Sequence, residues 1–137
     1  MTIDADVHDF LNRSLPGLIA TVATNGRDGH PLVVPVWYRW DSEDIIVWSL
    51  ESRRWVQNAI RDDKVGVSVQ EDSSGSMAVI MRGTARVETS DHESIDEEIL
   101  RITRRYVPKT GVEAYLEGWE HLRTMVHIKP NRVYVWK

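Results

Sequence analysis

The sequence predicts a mainly β fold: a closed or half-closed barrel of about six antiparallel strands with flanking helices. Three observations predict it. Short runs rich in Val, Ile and Thr recur along the chain, bounded by Gly, Asn, Asp and Pro turn signals. The turns between several of these runs are short enough for hairpins, which argues against a doubly wound parallel sheet. Helical periodicity is confined to a few segments, one between the third and fourth strands and another before the last. Barrel closure would also remove exposed strand edges.

Residues 4–15 read as a short helix with Val7, Phe10 and Leu11 on one face, ended by Pro16-Gly17. Leu18–Thr24 reads as a strand, followed by the turn signals Asn25-Gly26 and Asp28-Gly29. Leu32–Trp40 is a second strand; Pro35 inside it marks an edge, a bulge or an interrupted ladder. After a turn at Asp41–Asp44 comes a third strand, Asp44–Leu50, expected to form a hairpin with the second. Ser52–Arg61 is a short helix with Trp55 and Ala59 on one face and Ile60 beside them. In Lys64–Gln70, Val65, Val67 and Val69 alternate with small or polar residues, as a strand requires. Asp72–Ser76 is a polar loop, and Met77–Glu88 a long strand with a bend or bulge at Gly83. Ser90-x-x-Glu93 has the form of a capping box. It opens a helix whose Ile95, Ile99, Ile102 and Tyr106 make an apolar stripe, broken by Pro108 and Gly111. A further helical piece is expected at Val112–Trp119. Thr124–Ile128 and Arg132–Trp136 read as a last strand interrupted near Pro130. No repeat, low-complexity tract or long linker divides the chain, so residues 1–137 are expected to form one domain.

Composition narrows the function. The net charge of −4 argues against nucleic acid as the main partner, since phosphate contacts demand a basic excess. The absence of cysteine excludes disulfides, thiolate metal sites and cysteine nucleophiles. The five histidines have no spacing that points to a metal, and no Gly-rich phosphate loop or HExxH is present. The acidic start, without the basic and apolar runs of a signal peptide, and the absence of a bilayer-length apolar run lead to the expectation of a cytoplasmic protein without membrane insertion. Six tryptophans are many for 137 residues. They suit core and interface packing, or stacking on a ligand.

The most informative stretch is Trp48-Ser49-Leu50-Glu51-Ser52-Arg53-Arg54-Trp55-Val56-Gln57-Asn58. A strand ends there, a helix begins, and two arginines fall at the helix start. That end already carries partial positive charge, so cations there are in conflict with the helix dipole. A bound phosphate resolves the conflict by accepting from free backbone N–H groups, the Ser52 hydroxyl and the guanidinium groups. Alternatively, Arg53 and Arg54 point to solvent or pair with Glu51 and nearby aspartates.

The order of elements and this segment resemble the pyridoxamine 5'-phosphate oxidase-like split β-barrels, including the FMN- and deazaflavin (F420)-dependent reductases. In that family a strand and a Ser or Thr precede a basic Ser-Arg-Lys-like motif opening a helix; the matching residues are Ser49 and Ser52-Arg53-Arg54. His30–Trp37 resembles the family's second strand, Asn58–Val65 its helix exit, Met81–Ala85 its glycine-bearing strand, and Ile128–Trp136 its closing strand. The chain departs from the pattern at Arg54, where a lysine is usual, and at Asp63, where a proline is usual.

The resemblance implies a cofactor ring lying in a groove between two subunits of a homodimer. Val34, Pro35, Val36 and Trp37 would line the ring, with Trp48 and Ser49 nearby and Met77 and Ala78 approaching from another side. Ser52, Arg53, Arg54, Trp55 and Asn58 would form the phosphate end. Simple barrel packing explains Val34, Val36 and Met77 equally well. The resemblance implies hydride transfer from coenzyme F420, or from FMN as the alternative, to a small conjugated or quinone-like substrate. The acidic tail of F420 would favour further cations, for which Arg27, Arg39 and Arg61 are candidates. Tyr38, Tyr106, Tyr115 and His121 are candidate proton donors, and no catalytic residue is singled out. Two other readings stay open: a carrier of flavin, deazaflavin or haem without turnover, and a dimer with an empty groove.

Overall fold

The computed structural model describes residues 2–71, 77–90, 93–108 and 123–137. Its elements are α1 (Ala5–Leu11), β1 (Ala20–Asn25), β2 (Pro31–Val36), β3 (Arg39–Trp40), β4 (Ile45–Ser49), α2 (Arg54–Arg61), β5 (Lys64–Gln70), β6 (Ala78–Ser90), α3 (Glu93–Thr103) and β7 (Arg123–Trp136). The expected polar loop at 72–76 and helical piece at 112–119 lie outside the described residues, as do Tyr115 and His121. The capping box lies there too, because it depends on the Glu93 side chain.

The seven strands form one antiparallel sheet in the order β2-β1-β5-β6-β7-β4-β3. Its two end strands, β2 and β3, are consecutive in the chain and separated only by Trp37 and Tyr38. The chain therefore passes directly from one end of the sheet to the other, which curls the sheet into a split barrel. Tyr38, at this junction, is fully buried and donates its hydroxyl to the Leu11 carbonyl at 2.8 Å, tying α1 to the seam.

The barrel interior is built by alternation. Val65, Val67 and Val69 of β5 face in beside Ala20 and Val22 of β1, and Val7, Phe10 and Leu11 of α1 complete this core. In β4, by contrast, Ile45, Ile46 and Val47 are all buried. Ile45 and Val47 face the barrel, whereas Ile46 joins Met125 and the α3 stripe of Ile95, Ile99 and Ile102 on the other face. A strand covered on both faces loses the inside–outside alternation.

Three expectations are corrected. The second strand is not continuous: it breaks at Trp37-Tyr38 into β2 and β3. Only its last two residues form the expected hairpin with β4, through Arg39 opposite Ile46 and Trp40 opposite Ile45. β2 pairs with β1 instead, and as an edge strand it tolerates Pro35, which has no N–H to donate. The last strand is one element rather than two. Its irregularity is a bulge: Arg82 pairs with Arg132 and Gly83 with Pro130, so Asn131 is left without a register partner. A Cβ at Gly83 would lie 2.7 Å from Ile128 Cγ2 and 2.9 Å from the Lys129 carbonyl oxygen. Close approach of the two strands thus requires glycine.

Candidate functional site

Two grooves share the turn that opens α2. The first, about 460 Å³, is lined by Ile19, Pro35, Val36, Trp37, Trp48, Ser49, Leu50, Arg53 and Trp55. It is mostly apolar, and its volume lies in the range usual for small-molecule sites. Trp37 and Trp48 form a wall that rests on the α3 cluster; Trp55 belongs to the barrel core. The second groove, about 690 Å³, is richer in polar and charged residues and is lined by Gly26, Arg27, Asp28, His30, Pro31, Leu32, Ser52, Arg54, Gln57, Asn58 and Arg61.

Helix geometry explains why Arg53 and Arg54 part company. Arg53 is the N-cap residue of α2, still extended, with no side-chain cap bond, and the first turn holds no acid. Arg54, Gln57, Asn58 and Arg61 follow at i, i+3, i+4 and i+7, one face of the helix, which borders the second groove. The β1–β2 turn supplies the opposite side. Gly26 and His30 bond through their main chains, Gly29 takes a left-handed φ of 87°, and Arg27 is carried at the tip.

The charge in this region is lopsided. Among the described residues no carboxylate forms an ion pair with Arg27, Arg53 or Arg54. Of the two expected alternatives, pairing with Glu51 or a nearby aspartate is not adopted, whereas Arg53 and Arg54 are both exposed to solvent, as the other alternative expects. The nearest acid in the groove, Asp28, is engaged by His30. Hydrogen bonds from the His30 backbone and side chain hold its carboxyl below the usual range, with a smaller contribution from Arg54. Arg61 bonds the Asn25 carbonyl and Asn58 Oδ1.

The sequence-predicted residues divide accordingly. Pro35, Val36, Trp37, Trp48, Ser49, Arg53 and Trp55 line the first groove; Ser52, Arg54 and Asn58 line the second. Val34 packs against the barrel core, on the opposite side of β2 from Pro35. Met77 also packs against the core and donates its N–H to Glu71, and Ala78 is buried opposite Trp136. None of these three lines either groove. Asn58 is buried and donates to Thr24 Oγ1 at 3.2 Å, docking α2 on β1. Of the candidate tail cations, Arg27 and Arg61 join Arg54, while Arg39 is held by Glu98 through two hydrogen bonds.

Sequence reasoning missed Ile19, Leu50, Gln57 and, beside Arg27 in the β1–β2 turn, Gly26, Asp28 and His30. The helical spacing from Arg54 to Arg61 was the signal available for Gln57. Tyr38 and Tyr106, two of the candidate proton donors, line neither groove. Burial pushes the Tyr38 phenol up to about 12 and raises Tyr106 as well, and both hydroxyls donate to main-chain carbonyls. Among the described residues no helix is long and apolar enough to cross a membrane.

The split barrel thus carries an apolar groove that ends on Arg53, beside a second groove lined by Arg27, Arg54 and Arg61. The chain belongs to the pyridoxamine 5'-phosphate oxidase family, whose model matches residues 3–137. Among curated proteins none matches the sequence. Several solved structures share the fold. A conserved hypothetical protein from Mycobacterium tuberculosis has 21% identity and a TM-score of 0.79, over 100% of this chain and 86% of that one. An F420 reductase has 18% identity and a TM-score of 0.72, over 96% and 98%. HutZ, the haem storage protein from Vibrio cholerae, has 16% identity and a TM-score of 0.72, over 98% and 95%.

Proposed function

We propose that this protein is a reductase that binds coenzyme F420 across the two grooves and serves a small conjugated or quinone-like acceptor. The observation that carries the reading is the unbalanced cation set on either side of the α2 start. Arg53 closes an apolar groove walled by Trp37, Trp48 and Trp55, and Arg27, Arg54 and Arg61 line the neighbouring one. A tricyclic ring with a phosphate fits the first groove with Arg53 and the Ser49–Arg53 turn. The carboxylates of a glutamyl tail fit the second, where guanidinium groups donate charge-assisted hydrogen bonds. FMN has a ring and phosphate but no such tail, which is why the second groove favours F420.

When bound, the deazaflavin supplies a hydride. The chain's own part is to bind and orient. The tryptophan wall and Pro35 exclude water from one side of the ring, and no side chain is needed as nucleophile.

The same reading includes a homodimer with the ring groove at the subunit interface. Ile19, Val33, Ile80 and Tyr134 are large, apolar and exposed. The register sets Pro35, Thr21, Ser68, Ile80 and Tyr134 in one row across five strands of the sheet, beside the groove. A second copy on this face would cover both the row and the open side of the ring.

Fluorescence titration of the purified protein with F420 and, separately, FMN tests the cofactor. Tighter binding of F420, followed by reduction of a quinone or dye by F420H2, is the expected result. Tighter binding of FMN would move the protein to flavin chemistry. A Soret band on adding haem, with neither of the others bound, would overturn the reductase reading.

A further inference from the structure

We infer that Tyr106, which lines neither groove, is a positioning residue that sets the orientation of Trp37 as one wall of the ring groove; this rests on the cofactor reading above. Trp37 occupies the two-residue link between β2 and β3, outside the regular ladder, and packs against the α3 cluster together with Tyr106. Its ring is stacked on Tyr106 with centroids 4.7 Å apart and planes 6° from parallel.

Tyr106 is itself held from three directions. Its hydroxyl donates to the Leu18 carbonyl at 2.6 Å and accepts the Tyr38 N–H at 3.1 Å, so it also holds the backbone next to Trp37. Arg105, buried and bonded to the carbonyls of Leu11, Arg13 and Tyr38, lies 5.3 Å over the Tyr106 ring. On a third side the main chain passes so close that a Cβ at Gly17 would fall 2.8 Å from Tyr106 Cζ. The glycine after Pro16 is therefore required by this contact. With Tyr106 immobile, Trp37 meets a planar ligand already ordered, and binding does not carry the entropic cost of ordering it.

A double-mutant cycle with F420 and FMN as titrants tests the inference, alongside near-UV circular dichroism of the tryptophans without cofactor. Tyr106→Leu is expected to weaken binding of the preferred cofactor about two- to tenfold and to diminish the tryptophan dichroism. Tyr106→Phe, which keeps the ring, is expected to recover most of both. In a Trp37→Leu background, replacing Tyr106 should cost no further affinity. Equal losses with and without Trp37, or unchanged dichroism in Tyr106→Leu, would overturn the inference. If Tyr106→Leu does not fold, Tyr106→His, whose smaller ring stacks less well on the indole, takes its place in the cycle, with the same loss expected only where Trp37 is present. Wild-type protein that binds neither cofactor removes the functional reading and this inference together. Wild-type binding with additive variants removes this inference alone.

Discussion

At the residue scale, adjacent residues here have separate tasks. Arg53 ends the extended segment and Arg54 begins the helix, so one borders the apolar groove and the other the cationic one. Under the proposed function, Arg53→Ala should weaken F420 and FMN alike. Arg54→Ala should weaken F420 and spare FMN, because FMN has no tail to occupy the second groove. The double variant should lose more than tenfold in F420 affinity, since each charge-assisted contact contributes about 1.5–3 kcal/mol; unchanged titration curves would refute the site. Asn58 makes a different prediction. Its amide bonds Thr24 Oγ1 in a buried setting. Asn58→Ala should therefore destabilise the fold by about 1–3 kcal/mol by leaving polar groups unpaired, read as a lower urea midpoint. Nothing in the local sequence separates such a docking amide from a ligand-binding one. That difference depends on what α2 packs against.

At the element scale, the long β6–β7 ribbon and its bulge fix where the barrel bends. Gly83 and Pro130 face one another where the register slips. The glycine was legible as a bend because it interrupts an otherwise side-chain-rich strand. Its partner's geometry is not: in the sequence Pro130 has the look of an interruption, yet it belongs to a continuous strand. Gly83→Ala should cost about 1–3 kcal/mol through overpacking against Ile128 and the Lys129 carbonyl. A denaturant midpoint equal to that of the wild type would show that β7 yields. The break between β2 and β3 follows the same logic. Leu32 to Trp40 has the composition of one strand, but tertiary closure requires the chain to leave one end of the sheet and join the other.

At the scale of the whole molecule, stability should depend on pH through His127 on β7. Burial, and then the Arg86 guanidinium on the paired strand, depress its imidazole below the ordinary 6.5, against the pull of Asp44, Glu88 and Glu98. On acidification the unfolded chain takes up this proton before the folded one. The stabilising contribution is thus present above about pH 6.5 and lost as pH falls through the depressed value. His127→Gln should flatten that part of a melting-temperature profile; an unaltered slope would assign it to other groups. Light scattering at micromolar concentration should give the mass of a dimer, and a monomer would contradict the proposed interface groove.

The sequence by itself determined the strand-rich class, the helix stripe of Ile95, Ile99 and Ile102, the alternation of Val65, Val67 and Val69, and the conflict of cations at the start of α2. These are local: each follows from period, turn chemistry or the field of one helix end. Only the tertiary structure decided that β2 pairs with β1 and that Met77, Ala78 and Val34 stay out of both grooves. It also decided that Arg27 and Arg61 stand beside Arg54, and that Tyr106 meets Trp37. Those juxtapositions join residues far apart in the chain, and closure of the sheet on itself, not any local preference, brings them together.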